Sequence, residues 1–164
     1  MTGAPKLDRI DLNILVQLQR NGRMTNVALA EAVGLSPSPC LQRVKRLEAA
    51  RYITAYGATI NLAKLGQTVM VFTEVTLKDH RREDFVRFES FIRTVDEVME
   101  CHLVSGGYDY LVRFITRGVL HYQEAMDRIL EHNVGIANYF SYIVLKSPFV
   151  RTEYPLTLLF REED

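Results

Sequence analysis

Gly34, followed after one residue by Ser36-Pro37, interrupts an apolar pattern of helical spacing, and this break constrains the fold more than any other local feature. Before it, Val27, Leu29, Ala30 and Val33 recur as on one helix face, with Thr25 placed to cap the start. After it, a serine oxygen can accept a free N–H, and proline in the first helical position loses nothing, so a new helix runs to about residue 50. Glycine tolerates the positive φ of the corner, and the small Ala30 four residues earlier lets the two helices approach. A preceding helix begins near Leu7, carries Ile10, Ile14, Leu15 and Leu18 inward, and stops at Asn21-Gly22. Its Asp8 and Asp11 lie in the first turn, where they oppose the positive end of the helix dipole. Three short helices with a glycine corner describe a helix-turn-helix of the winged type.

On the third helix, Leu41, Val44 and Leu47, with Cys40 beside them, fall on one side by the 100° rule. Ser38, Pro39, Gln42, Lys45 and Arg46 fall on the other, with Arg43 on the flank. A helix so patterned fits the major groove, where Gln reads adenine, Arg or Lys reads guanine and Ser serves either. A solvated cationic face on an ordinary three-helix bundle would show the same charges. Net charge hints at the first reading without deciding between them. The whole chain balances 20 Lys+Arg against 20 Asp+Glu, yet residues 1–60 hold eight against four and residues 61–164 twelve against sixteen. The front of the chain is suited to a polyanion.

Beyond residue 60 the pattern changes, and every Phe lies there. The expected division is a DNA-binding domain with a connecting strand over 1–60 and a second domain over 61–164. Residues 53–60 favour a strand, 68–77 a mostly buried strand, and 98–104 and 109–116 an antiparallel pair around a Ser-Gly-Gly-Tyr turn. Phe85, Phe88, Ile92 and Val95 mark one amphipathic helix, and Tyr122, Met126, Ile129 and Leu130 another; residues 136–145 give the fourth strand. The order β-α-β-β-α-β is that of a ferredoxin-like fold, and the class is α+β. The tail with Leu156, Leu158 and Phe160 is expected to add an edge strand. Helices on one side of such a sheet leave its other face open. Strand residues apolar on both alternations, as in Val69, Met70, Val71 and Phe72, imply that a second copy covers that face.

The segment LDRIDLNILVQLQRNGRMTNVALAEAVGLSPSPCLQRVKRLEAA (7–50) resembles the N-terminal domain of the Lrp/AsnC family of transcription factors. The LDRID opening, the VGLSPSPC turn and the RVKRLE helix carry the likeness. The resemblance implies that helix three enters the major groove and that Ser36, Ser38, Gln42, Arg43, Lys45 and Arg46 bind DNA. One departure is Arg51, where the family commonly has glycine; its side chain implies mild strain in a left-handed cap or a different helix end. The stretch ECHLVSGGYDYLVRF (100–114) resembles the family's ACT-like effector domain. That resemblance implies dimers assembling into octamers, a free amino acid such as leucine as effector, and a regulator of amino-acid metabolism genes. It also implies effector contacts at Leu103, Gly106, Tyr108 and Asp109, with Val119 and Tyr142 as walls. Elementary chemistry agrees at the turn: Gly106 and Gly107 let backbone N–H groups approach a carboxylate, and Asp109 can pair with an ammonium. The same residues would also serve as a plain hairpin turn capped by Asp109, and Gly107 stands where the family often has a polar residue.

Other classes find little support. Cys40 and Cys101 form no disulfide or metal framework, and His80, His102, His121 and His132 lack ligand spacing, so neither a metal nor a cofactor beyond the amino acid is expected. No phosphate loop, nucleophile elbow or cluster of acid, base and nucleophile suggests an enzyme. Apolar runs such as Val69, Met70, Val71 and Phe72 are far below the roughly 20 residues that span a bilayer, and the start lacks a secretory pattern. The expected setting is the cytoplasm, with the protein on duplex DNA. A nucleoid-architectural protein that wraps DNA with little sequence preference is the alternative.

Overall fold

A computed structural model describes residues 6–160. The chain divides into two compact units, one spanning the chain up to Thr59 and from Phe149 onward, the other Ile60–Pro148.

The first unit is built on α1 (Arg9–Arg20), α2 (Asn26–Val33) and α3 (Pro37–Ala49). Thr25 caps α2 by accepting from the Ala28 N–H, and Gly34 ends it in the left-handed region at φ 71°. The Leu35 N–H returns to the Ala30 carbonyl and the Gly34 N–H to that of Glu31, the two bonds of a Schellman motif. Helix α3 ends in the same motif. There the Tyr52 N–H reaches the Leu47 carbonyl and the Arg51 N–H that of Glu48. Arg51 therefore takes the left-handed position itself, at φ 62°, as its substitution for the family's glycine implied.

Ile14, Leu29, Ala30, Cys40 and Leu47 form the core of this unit. The inward face of α3 is centred on Cys40, Val44 and Leu47, whereas Leu41, expected to pack, is 43% exposed. A single helical step of 100° separates Cys40 from Leu41, and the neighbour on the other flank, Arg43, turns toward α1 instead. Arg43 Nη1 reaches Asp8 at 2.6 Å and Asp11 at 2.9 Å, and Arg46 Nη2 reaches Asp11 at 2.6 Å. Asp11 is 1% exposed. It also closes a capping box with Asp8, each carboxylate accepting the other residue's N–H. Burial alone would raise the Asp8 pKa, but the Asp11 N–H and the Arg43 guanidinium together outweigh it and hold the carboxyl below its ordinary value.

Two expectations fail in this unit. Residues 53–60 form no strand, because a ladder needs a second strand and none pairs with them. The tail, expected to add an edge strand, instead makes the short helix α6 (Leu156–Phe160) on α1. Gln19 anchors it by donating to the Tyr154 carbonyl at 2.8 Å and accepting from the Tyr154 N–H at 3.1 Å. That reciprocal pair satisfies the backbone groups that a strand neighbour would have taken.

The second unit carries β1 (Val69–Leu77), α4 (Arg82–Ile92), β2 (Val98–Leu103), β3 (Tyr110–Thr116), α5 (Val119–Glu131) and β4 (Ile136–Ile143). The sheet order is β2-β3-β1-β4, with antiparallel pairing throughout, so the expected ferredoxin-like order is present. Alternation in β1 and β3 sends Val71, Val75, Val112 and Phe114 into a core shared with Phe88 of α4 and Ile129 of α5. Tyr122 ties α5 to the sheet through its hydroxyl, 2.8 Å from Thr73 Oγ1 and 2.5 Å from Ser141 Oγ. On the opposite face Phe72 lies across from Tyr142, and Glu74 across from Phe140. Phe140 and Tyr142 are 58% and 52% exposed there.

Two stability predictions follow from the first unit. Asp11→Ala removes the buried partner of two partly exposed arginines, one of which keeps Asp8, and removes half of the capping box; equilibrium denaturant unfolding of the full chain should show a loss of about 1–3 kcal/mol. Arg51→Gly relieves a left-handed side-chain residue, offset in part by glycine's entropy in the unfolded chain, and should raise stability by about 1 kcal/mol in the same measurement.

Candidate nucleic-acid interface and effector site

The clamp on α1 decides which side of α3 is available. With Cys40, Val44 and Leu47 packed inward, Ser38, Gln42 and Lys45 face outward and are exposed. Ser36 is exposed at the helix start, and its side chain makes no cap bond, contrary to the expected serine cap. Among the described residues the side chains of Ser36, Ser38, Gln42 and Lys45 have no hydrogen-bond or ion-pair partner, so their polar groups are free to meet a ligand. Arg43 and Arg46 are different. Arg43 is engaged by Asp8 and Asp11 and Arg46 by Asp11; the Arg46 side chain remains 47% exposed and that of Arg43 only 27%. The six residues thus split into four unengaged groups and two that also hold α3 to α1.

Asn26 was not singled out by sequence reasoning. Its Nδ2 donates to the Pro37 carbonyl at 2.8 Å, bolting the start of α2 to the start of α3, while its Oδ1 is buried without a partner. An Asn just after a capping threonine reads as helix filler, and nothing in the sequence alone marks its long-range bond.

In the second unit the β2–β3 hairpin brings together Leu103, Gly106, Tyr108 and Asp109. Leu103 ends β2 opposite Tyr110 and is 61% exposed. Gly106 sits at φ 145°, a backbone state that side chains rarely adopt. The Val104 N–H reaches the Asp109 carbonyl, and the Asp109 N–H reaches Val75, which fixes the hairpin base to β1. The Asp109 carboxylate is not free. Oδ2 accepts from the Leu77 N–H at 2.7 Å, and His80 Nε2 lies 3.0 Å from Oδ1 and 3.1 Å from Oδ2. His80, set aside for want of ligand spacing, is therefore the side chain that an incoming ammonium would have to displace or share.

The two walls are less tightly grouped. Tyr142 lies on the open sheet face, where its hydroxyl donates to Glu74 Oε2 at 3.2 Å. Removal from water, Glu74 and the nearby Tyr108 together raise its pKa. Val119 opens α5, after the far end of β3. Six residue steps separate Tyr110 from Thr116, about 20 Å of strand. Within one chain, then, Val119 and the hairpin lie at opposite ends of the sheet.

Among the described residues no three His, Cys, Asp or Glu side chains converge as metal ligands would, and no helix is long and apolar enough to cross a membrane. Burial raises both cysteine pKa values, that of Cys101 to about 11 with a contribution from Glu89, so both remain thiols at neutral pH.

Comparison with known proteins adds an independent line. The family model described as winged helix-turn-helix DNA-binding matches residues 7–54, and that for the Lrp/AsnC ligand binding domain matches 70–154. The transcriptional regulatory protein DoeX of Halomonas elongata is 48% identical over 87% of this chain and 90% of its own length. The leucine-responsive regulatory protein of Klebsiella pneumoniae is 41% identical over 85% of each. Among solved structures, the transcriptional regulator of Neisseria meningitidis in complex with L-Met superposes with a TM-score of 0.86 at 34% identity, covering 94% of this chain and 99% of that one. An AsnC family transcriptional regulator from Agrobacterium tumefaciens gives 0.87 at 29% identity, covering 93% and 99%. These matches span both compact units and name regulators rather than enzymes. With the free outward face of α3 and the glycine hairpin of the second unit, they place this chain in the Lrp/AsnC family of DNA-binding transcriptional regulators with an amino-acid-binding domain.

Proposed function

We propose that this regulator reads its operator with α3 and that a free amino acid alters how copies of the chain assemble on DNA. Gln42 and Ser38 contact base edges, Ser36 and Lys45 contact phosphates or bases nearby, and Arg46 reaches the backbone with the part of its guanidinium that Asp11 does not hold. Arg43 contributes from the flank. The observation that carries this reading is the set of unengaged side chains on one face of a helix whose other face is locked to α1. Duplex DNA supplies the complementary acceptors and donors in its major groove.

The effector site is built from Leu103, Gly106, Tyr108 and Asp109, with Val119 and Tyr142 as walls. A separation of about 20 Å between hairpin and Val119 means that a site using both is completed by another copy. The exposed Phe140 and Tyr142 give the sheet an apolar face suited to a dimer, and further assembly into octamers brings dimers together around the hairpin. An amino acid that binds one assembly better than another shifts the balance between them, and operator affinity shifts with it. The relative crystallised with L-Met supports an apolar amino acid as the class, leucine among them. Such a protein works in the cytoplasm, on the nucleoid.

Sites selected from random DNA and then footprinted test the reader. Gln42→Ala should cost about 1–3 kcal/mol at the selected site and relax preference at one base pair, while Lys45→Ala should weaken all sequences alike and lower the salt slope by about 1. Equal affinity for selected and random DNA would instead indicate an architectural role. For the sensor, sedimentation velocity with and without each common amino acid should show a change of assembly that Asp109→Asn abolishes; an unchanged distribution across all of them would remove the coupling.

A further inference from the structure

Leu41 is exposed on α3, and it belongs neither to the buried core of the first unit nor to the apolar side chains packed against that core. A single exposed leucine on an ordinary surface carries no meaning. This one stands on the helix whose outward face is otherwise polar. Among the described residues it is the only large apolar side chain that α3 exposes, since Val44 and Leu47 pack inward.

The backbone beneath Leu41 is held on two sides. Asn26 Nδ2 donates to the Pro37 carbonyl at 2.8 Å, which fastens the first turn of α3 to the start of α2. Arg43 and Arg46 fasten the middle of the helix to α1. Leu41 falls between these two fastenings. With about 3.6 residues per turn, it points about 40° from Lys45 and about 60° from Ser38 around the helix axis, against about 100° from Cys40. Ser38, one turn back, and Lys45, one turn on, are therefore its neighbours on the helix surface, and Gln42 follows it in sequence. The leucine is framed by the unengaged polar groups of the outward face, on the flank away from Arg43.

Base edges in the major groove offer hydrogen-bonding groups and one apolar group, the 5-methyl of thymine. Ser38, Gln42 and Lys45 can address the former, whereas leucine can address only the latter. We infer that Leu41 is a specificity-determining residue that packs on the methyl of a thymine next to the base pair that Gln42 contacts. This assignment rests on the proposed reading of DNA by α3 and deepens it, since none of the six side chains assigned there is apolar. The same contact selects against cytosine, whose 4-amino donor would be buried against leucine without an acceptor. A leucine whose backbone is held on both sides loses little freedom on meeting a base, so the cost of ordering does not cancel the contact.

The test uses the full chain and a duplex selected from random DNA, with each thymine replaced in turn by deoxyuridine. That replacement removes the methyl and leaves base pairing and the hydrogen-bonding edge unchanged. The wild type should lose about fourfold in affinity at one thymine of each half-site, the effect of exposing one buried carbon. That thymine should adjoin the position whose preference Gln42→Ala relaxes. Leu41→Ala should bind the thymine duplex about as weakly as the wild type binds the deoxyuridine one, should not discriminate between the two, and should keep the wild-type salt slope. Leu41→Met should restore the discrimination. Thermal melts separate lost binding from lost folding, and the scan on the wild type needs no variant at all. The absence of any deoxyuridine-sensitive thymine overturns the assignment, as does equal sensitivity in Leu41→Ala and the wild type, which would give the methyl to another residue. In either case a preference that Gln42→Ala relaxes leaves the α3 reading standing, whereas equal affinity for selected and random DNA removes both. Altered sedimentation of Leu41→Ala with its deoxyuridine sensitivity intact would mean that a second copy covers the leucine, and overturns the assignment as well.

Discussion

A carboxylate that is almost wholly buried and held by two arginines organises the reading head. Asp11 belongs to the first turn of α1, and Arg43 and Arg46 belong to α3, so the contact joins elements more than thirty residues apart. Removing a charge from water is expensive, and the pair recovers that cost only with short, well-directed bonds. The 2.6–2.9 Å distances here meet that condition. A hydrophobic contact in the same place would hold α3 to α1 but would tolerate rotation about the helix axis. A two-pronged ionic contact does not, because rotating α3 separates at least one guanidinium from its oxygen. The outward direction of Ser38, Gln42 and Lys45 is thereby set from behind, by residues that need not touch DNA.

In the proposed reading Arg46 both holds α3 to α1 and reaches DNA. Part of the positive charge that distinguishes residues 1–60 is neutralised inside the fold by Asp8 and Asp11. The field presented to a polyanion comes from Lys45, from the exposed part of Arg46 and from Arg51, whose left-handed backbone costs stability. Retaining a charged residue at a position glycine would fill more comfortably is understandable if its side chain meets phosphate; the fold itself gains nothing from it.

Much of the architecture was legible because local chemistry and tertiary packing agree. Thr25, Gly34 and Ser36-Pro37 marked helix ends that the structure keeps, although Ser36 makes no side-chain cap bond. The density of Val, Thr and Phe over 68–77 identified β1 as a buried strand. Illegible features depend on partners distant in sequence. Leu41 was placed inside because its spacing to Val44 and Leu47 is helical, yet the packed face turns toward Arg43 once Asp11 is there to receive it. Residues 53–60 have strand composition without a strand to pair with. The tail has strand-like alternation, but Gln19 supplies its backbone partners and it winds into a short helix. Asn26 and His80 act through bonds to Pro37 and Asp109, and spacing along the chain does not reveal such bonds.

If the β2–β3 hairpin is the effector site, as proposed, Asp109 serves both the resting fold and the ligand. The Asp109 carboxylate ties the hairpin to the end of β1 by accepting from the Leu77 N–H, and His80, in the loop before α4, lies beside both of its oxygens. An ammonium arriving at this carboxylate must replace a contact that links the hairpin to that loop, so binding there is a rearrangement of β1, the hairpin and the α4 entrance together. A free-standing carboxylate would take the ligand with no structural consequence and could transmit nothing. Coupling requires that the ligand-free state make a different bond with the same group, since a ligand shifts an equilibrium only by its differential affinity for the two states. The His80–Asp109 contact is such a bond, and it lies at the end of the sheet where the hairpin meets β1.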